Sequence, residues 1–213
     1  MAKVLIVDTF PAAREGLAAR IAAHFDLEVC GQAADTGEAM DLVRSTSPDV
    51  VVLDFALKEG NGLDLIRRIR AHDRKIQILV WSIYPDALYA ARALQAGALG
   101  YVHKQNPTER IVEAIRTVRD GTIYLCDEMS QALLARTVGV KRLKPTGVAS
   151  LSECELEVFR LIGQGVSTRQ IAHRLHRSTH TVESHRHAIK RKLNLHTAAE
   201  LNRAAVQWVL ENG

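Results

Sequence analysis

The sequence predicts a doubly wound α/β domain on five parallel strands, followed by an all-helical domain that contains a helix-turn-helix. Three observations carry this. Short apolar runs alternate with amphipathic segments through the first 125 residues. Those runs are apolar without alternation, as in strands buried on both faces of a parallel sheet. From residue 150 onward the pattern is helical and is punctuated by Ser/Thr-x-x-Glu/Gln boxes. At 213 residues the chain is long for one domain and comfortable for two. The expected division is 1–122 for the α/β domain, 123–147 for a linker and 148–213 for the helical domain.

In chain order, strands are predicted at 3–7, 27–33, 50–53, 77–82 and 100–103. The helices between them fall at 12–24, 36–46, 63–71, 86–96 and 108–120. The last of these has a defined start, with Asn106 as cap and Pro107 at the first helical position. Five βα units make a doubly wound domain, whose ligands sit at the carboxyl ends of the strands.

Residues 121–147 form the join, with a further helix predicted at 128–138 and a basic hinge, KRLKPTG, at 141–147. Three capping boxes follow: Ser152 with Glu155, Ser167 with Gln170, and Thr197 with Glu200. Each box satisfies two backbone donors that a helix start leaves orphaned. They frame a scaffold helix at 168–175, a short turn at His176 and Arg177, a recognition helix capped by Ser178 or Thr179, and a last helix at 197–210.

Charge separates the two parts. Residues 1–125 carry 15 Lys/Arg against 16 Asp/Glu, whereas 148–213 carry 9 against 6 and six of the nine histidines. Only the back half is therefore expected to meet a polyanion. Cys30, Cys126 and Cys154 lie far apart with no CxxC pair, which argues against a disulfide scaffold or a zinc site and suits a reducing compartment. The N-terminal apolar run is too short for a signal peptide and no run of about 18 apolar residues occurs, so a soluble, cytoplasmic protein without membrane contact is expected.

Polar groups mark the carboxyl ends of otherwise apolar strands. Asp8 ends the first, Asp54 the third and Ser82 the fourth, and Lys104 follows the fifth. Converging on one crevice, they supply a carboxylate nucleophile, a second carboxylate for a divalent cation, a hydroxyl and a lysine. That set suffices for phosphoryl transfer to Asp54.

In the helical domain, Val182, Ile189 and Leu193 recur at helical spacing and define the buried side of the recognition helix. Glu183, Ser184, His187, Lys190 and Arg191 fall on the opposite face. Glu183 suits a cytosine amino group, Ser184 several bases and His187 a purine acceptor. Lys190, Arg191 and Lys192 are expected at phosphates, which set register without reading sequence. Ser178, Thr179 and Thr181, at the helix start, complete the expected DNA contacts. Arg186 lies beside the apolar side and ranks lower. The clustered histidines lack partners at metal-ligand spacing and are not expected to bind metal. In the last helix, Leu201, Ala204, Ala205 and Trp208 form a stripe expected to make a two-fold dimer contact, with Val206, Val209 and Leu210 filling the domain's own inner face.

These motifs together resemble a bacterial two-component response regulator of the NarL/FixJ group with a LuxR-type helix-turn-helix. The front half carries VLIVD with Asp8, VVVLD with Asp54, Gly62 in GNGL, Ser82, and GALGYVHK with Tyr101 and Lys104; the back half carries TVESHR at 181–186. The resemblance implies a flavodoxin-like receiver in which Asp54 is the phosphoacceptor. It further implies that Asp8, Asp54 and the Ala56 backbone carbonyl hold Mg²⁺, that Ser82 and Tyr101 report phosphorylation, and that Lys104 contacts the phosphoryl group. A sensor histidine kinase, double-stranded DNA with paired half-sites and a second copy of the chain are the implied partners.

Two departures stand out. Thr9 occupies the place of the family's second acidic residue, and Lys58 replaces a common proline, so weakened Mg²⁺ binding is expected. The alternative reading is a regulator that binds DNA independently of phosphorylation, controlled by a partner, a ligand or protein level. A haloacid-dehalogenase-like phosphatase needs an Asp two residues after the nucleophile, where this chain has Ala56. No enzyme activity is expected.

Overall fold

Strands apolar on both faces have to be covered twice, and the computed structural model shows how; it describes residues 1–57, 61–84, 86–107, 109–126, 130 and 147–212. The chain divides into two units, Met1–Leu133 and Leu134–Gly213. The first runs β1 (Ala2–Val7), α1 (Pro11–Ala22), β2 (Leu27–Ala33), α2 (Thr36–Thr46), β3 (Val50–Leu53), α3 (Gly62–His72), β4 (Gln77–Ser82), α4 (Asp86–Ala96), β5 (Gly100–His103) and α5 (Glu109–Arg119). The strands form one parallel sheet in the order β2-β1-β3-β4-β5.

Alternate residues of the central strands feed two cores. Val4, Ile6, Val50, Val52 and Leu79 pack with Leu17 and Ile21 of α1 and with Ile111, Ile115 and Val118 of α5. Leu5 points to the other face, where it and Leu42 of α2 enclose Gly31. Every residue of β3 is buried, so the predicted absence of alternation reflects a central strand covered on both sides. Helix starts are fixed locally: the Asp35 side chain accepts from the Gly37 and Glu38 amides, and that of Asn61 from Leu63.

The second unit begins with a 3-10 turn at Gly147–Ser150 and continues as α6 (Glu153–Gly163), α7 (Thr168–Arg174), α8 (Thr179–Lys192) and α9 (Ala198–Asn212). Both reciprocal hydrogen bonds are present in the Ser152–Glu155 and Ser167–Gln170 boxes. The third differs by one residue. The Thr197 hydroxyl accepts from the Glu200 amide, but the Glu200 carboxylate accepts from the amide of His196. Pro107 lies outside α5, which starts at Glu109 rather than beside an Asn106 cap. Apart from Ser130, which is helical, the helix expected at 128–138 and most of the hinge at 141–147 lie outside the described residues.

The predicted dimer stripe is corrected by the packing of α9. Leu201 and Ala205 are fully buried, Trp208 is nearly so, and the Trp208 ring lies 6.0 Å from that of Phe159 in α6. Ala204 is half-buried beside them. Val206 and Leu210, assigned to the inner face, are instead exposed. The cause is Gly163. A Cβ there would stand 2.3 Å from the Ala205 carbonyl oxygen and 2.5 Å from Val209, so the missing side chain lets the two backbones approach and fixes which stripe of α9 faces inward. Gly163→Ala is therefore expected to destabilise the helical unit by about 1–3 kcal/mol, seen as a lower urea midpoint for Trp208 emission in a Trp81→Phe background. An unchanged midpoint would show that α9 can shift at no cost.

Candidate functional site

Backbone pairing brings the strand ends to one level. The Asp54 amide donates to the Val7 carbonyl at 2.9 Å, and the Lys104 amide to the Ser82 carbonyl at 2.8 Å, continuing the parallel ladders one residue beyond the strands. Asp8, Asp54 and Ser82 are buried there. Lys104 Nζ donates to Asp8 Oδ2 at 2.5 Å and to Asp54 Oδ2 at 2.6 Å, and its ammonium lies 5.1 Å from the centre of the Trp81 ring. Ser82 Oγ donates to Asp54 Oδ1 at 2.6 Å. The four residues expected to converge do so.

The last carboxylate oxygen is also engaged, and Asp54 Oδ1 takes a second bond. Asp8 Oδ1 accepts from the Phe10 amide at 2.8 Å and Asp54 Oδ1 from the Ala56 amide at 3.3 Å. Burial holds the Asp8 carboxyl above the ordinary carboxylate range, outweighing the opposing pull of the Lys104 and Phe10 hydrogen bonds; the charge of Asp54 acts in the same direction as burial. Two residues shape the pocket in ways the sequence reading did not foresee. Thr9 Oγ1 donates to the Ala56 carbonyl at 2.8 Å, and Arg14, in the first turn of α1, donates to the Asp8 carbonyl at 2.6 Å. Gly62 permits the close return of the chain: a Cβ there would lie 2.8 Å from Phe55 Cα.

Next to the carboxylates lies an aromatic cluster. Tyr101 is buried and its hydroxyl donates to the Tyr84 carbonyl at 2.8 Å. Its ring centre is 5.9 Å from that of Phe55, which contacts Tyr89 of α4 at 5.5 Å; Tyr89 in turn stacks on Tyr84 at 4.9 Å. Phe55 follows Asp54 directly, and Tyr84 lies two residues after Ser82. The cluster therefore joins the chain next to both polar residues to α4 and β5.

In the second unit Ser178 caps α8, its hydroxyl accepting from the Thr181 amide at 3.0 Å and lying 2.8 Å from the Thr181 hydroxyl. Val182 and Ile189 are buried, while Thr179, Glu183, Ser184, His187 and Arg191 are exposed and Lys190 is half-buried. Ser184 Oγ donates to the His180 carbonyl. Lys192 departs from expectation. Its Nζ donates to Glu155 Oε2 at 2.6 Å and to the Ser150 carbonyl at 3.3 Å, which ties the end of α8 to the start of α6. Burial raises the Glu155 carboxyl, but the hydrogen bonds from Lys192 and Ser152 outweigh it and leave the group below its usual range. Among the described residues, no three His, Cys, Asp or Glu side chains are grouped to hold a metal ion.

Comparison with known proteins gives the same two-part division. The profile of the response regulator receiver domain matches residues 4–116, and that of the bacterial regulatory proteins of the luxR family matches 149–205. The oxygen regulatory protein NreC of Staphylococcus epidermidis is 33% identical over 205 residues, covering 93% of this chain and 94% of NreC. The response regulator UvrY of Escherichia coli is 29% identical over 212 residues, covering 100% and 97%. Among solved structures, RcsB from Salmonella enterica serovar Typhimurium, bound to promoter P1flhDC in the presence of the phosphomimetic BeF3−, aligns with a TM-score of 0.75 over 97% of this chain and 98% of RcsB. At 23% identity that likeness bears on the fold.

The two terminal cations of α8 should separate by experiment. Lys192→Met is expected to cost about 1–3 kcal/mol of stability, as for a hydrogen bond to a charged group, while leaving the salt dependence of DNA binding unchanged. The contribution of Glu155 exists above the ordinary carboxylate range and is lost as pH falls through its lowered value, so the variant and wild type should converge in acid. Arg191→Ala is expected to leave stability unchanged and to reduce the salt slope by about 0.9. Interchanged results would return Lys192 to the DNA face.

Proposed function

We propose that Asp54 is the phosphoryl acceptor of this chain, which belongs to the NarL/FixJ-type response regulators, a receiver joined to a LuxR-type DNA-binding domain. It is a DNA-binding transcription regulator of a two-component system. The observation that carries the assignment is the environment of Asp54: a buried carboxylate at the carboxyl edge of the sheet, held by Ser82 Oγ and Lys104 Nζ at 2.6 Å each, with Asp8 sharing the same lysine.

In the proposed reaction an Asp54 carboxylate oxygen attacks the phosphorus of a phosphohistidine on a sensor kinase. The new P–O bond forms as the P–N bond breaks, and the electron pair leaves with the imidazole. Lys104, already directed at both carboxylates, neutralises a phosphoryl oxygen, and the Ser82 hydroxyl turns from the carboxylate to the new group. Movement of Ser82 draws on the backbone that leads to Tyr84, whose carbonyl holds the Tyr101 hydroxyl, and in this way the change reaches the α4 and β5 face. Receiver domains typically use Mg²⁺ for this chemistry. The Asp8 and Asp54 carboxylates and the Ala56 carbonyl are hard oxygen donors suited to that ion, which keeps several waters when protein ligands are few. When bound, Mg²⁺ supplies positive charge beside the phosphoryl oxygens.

Thr9 supports the proposal that this Mg²⁺ site is weak. It contributes no charge, and its hydroxyl donates to the Ala56 carbonyl that the ion would need. The lysine meanwhile neutralises half of the charge on the two carboxylates. For the helical domain, Thr179, Glu183, Ser184 and His187 are the proposed contacts on the base side of α8, with Ser178 and Thr181 shaping its start and Lys190 and Arg191 at phosphates. We assign the chain to the cytoplasm and expect it to act on DNA as a homodimer reading paired half-sites.

Two measurements test this reading. Acetyl phosphate with Mg²⁺ should label wild type covalently, as detected by mass spectrometry, and leave Asp54→Asn unlabelled; equal labelling would move the acceptor elsewhere. Thr9→Asp should strengthen Mg²⁺ binding by roughly tenfold or more, the scale of a ligand-shell change, followed through Trp81 emission beside Lys104. If wild type binds Mg²⁺ as tightly as Thr9→Asp, Thr9 does not weaken the site.

A further inference from the structure

We propose that Thr168 and Arg186 are positioning residues that set the Glu183 carboxylate for reading an exocyclic amino group on a base, that of cytosine above all. The proposal rests on Glu183 being a base reader, as argued above. Thr168 opens the scaffold helix α7, and its hydroxyl donates to Glu183 Oε1 at 3.0 Å, across 15 residues of sequence. Capping leaves that hydroxyl available, because Ser167 and Gln170 already supply both halves of the box at this helix start. Arg186, one turn further along α8, places Nε 3.5 Å from Oε2. The two side chains differ in exposure: Glu183 is 50% exposed and Arg186 only 16%. The carboxylate thus lies at the surface, with a hydroxyl from the neighbouring helix and a largely covered cation as its partners.

A carboxylate on a DNA-facing helix is repelled by phosphates and gains only where it meets a donor. In the major groove the donors are the amino groups of cytosine and adenine, and a glutamate accepting from cytosine N4 is an established geometry. An exposed glutamate samples many rotamers, and docking it on one base edge loses that freedom. Two partners in the free protein remove part of that loss beforehand. The guanidinium also offsets the carboxylate's charge close to the polyanion. Carboxylate oxygens accept more than one hydrogen bond each, so the hydrogen bond from Thr168 and the ion pair with Arg186 leave lone pairs for a base.

The test is selection of full-length protein, with phosphodonor present, on duplexes carrying a randomised central segment, followed by sequencing. Glu183→Ala should flatten the base preference at one position of each half-site by about fivefold or more, the scale of a specific base contact. Thr168→Val should flatten the same position, Arg186→Met should do so more weakly, and Thr168→Ser should retain the wild-type preference. For Thr168→Val the melting temperature should be unchanged and the affinity for unselected duplex should stay within about twofold of wild type, since no phosphate contact is lost. If Glu183→Ala flattens a position that Thr168→Val and Arg186→Met leave sharp, Glu183 reads unaided and the positioning role is wrong. If Glu183→Ala changes no position, Glu183 is not a reader and both ideas fall. A uniform loss of affinity in Thr168→Val with a shallower salt slope would make Thr168 a phosphate contact and overturn the proposal. Flattening at adenine rather than cytosine would overturn the choice of base.

Discussion

One ammonium group, Lys104 Nζ, stands between two buried carboxylates, and the order of the sheet is what brings the three together. Asp8 and Lys104 are 96 residues apart, and Asp54 and Lys104 are 50 apart. Only parallel strands that all end on one side deliver them to a common crevice. Without the lysine, two negative charges would face each other out of water, and breaking a buried pair of this kind costs about 3–5 kcal/mol. The pocket is therefore held closed by the same group that would meet an incoming phosphoryl oxygen. Stability and readiness for reaction reside in one contact.

The residues around it act on that balance in different ways. Ser82 and the Ala56 amide hold one oxygen of Asp54, which leaves Lys104 to hold the other. Thr9 draws in the Ala56 carbonyl, and Arg14 braces the backbone of Asp8. The aromatic cluster gives the site a packed neighbour rather than a solvated one, since Phe55 and Tyr101 are buried side by side. Close-packed rings do not deform gradually, so a change at Asp54 or Ser82 either repacks them or leaves them in place. In the helical unit the cations divide by a similar logic. Lys192 is committed to a buried carboxylate, while Arg191 remains on the exposed face.

Much of this was legible in the sequence, for identifiable reasons. Unalternated strands such as VVVL announce burial on both faces, and polar residues at their ends stand out against that background. The Ser152 and Ser167 boxes obey local geometry and so were readable without tertiary information. What failed depends on partners distant in sequence. The α9 helix has apolar residues on two sides, and Gly163, 35 residues before its start, decides which side faces inward. Lys192 looks like its cationic neighbours until Glu155 is found beneath it. The bonds from Thr9 to Ala56 and from Thr168 to Glu183 join residues whose loops and helices meet only after folding. A glycine at the end of an amphipathic helix was the one available signal for the close approach of α9, and a reading attentive to it would have exchanged the two faces.

The central claim is that the charge cluster at Asp54 controls DNA binding, and the affinity of the full-length chain for a selected duplex, with and without beryllofluoride and Mg²⁺, tests it most directly. The account predicts tighter binding when beryllofluoride occupies wild-type Asp54 and no response in Asp54→Asn. Equal affinity of the wild type in both conditions would contradict it and leave a DNA-binding protein that its receiver does not switch through Asp54.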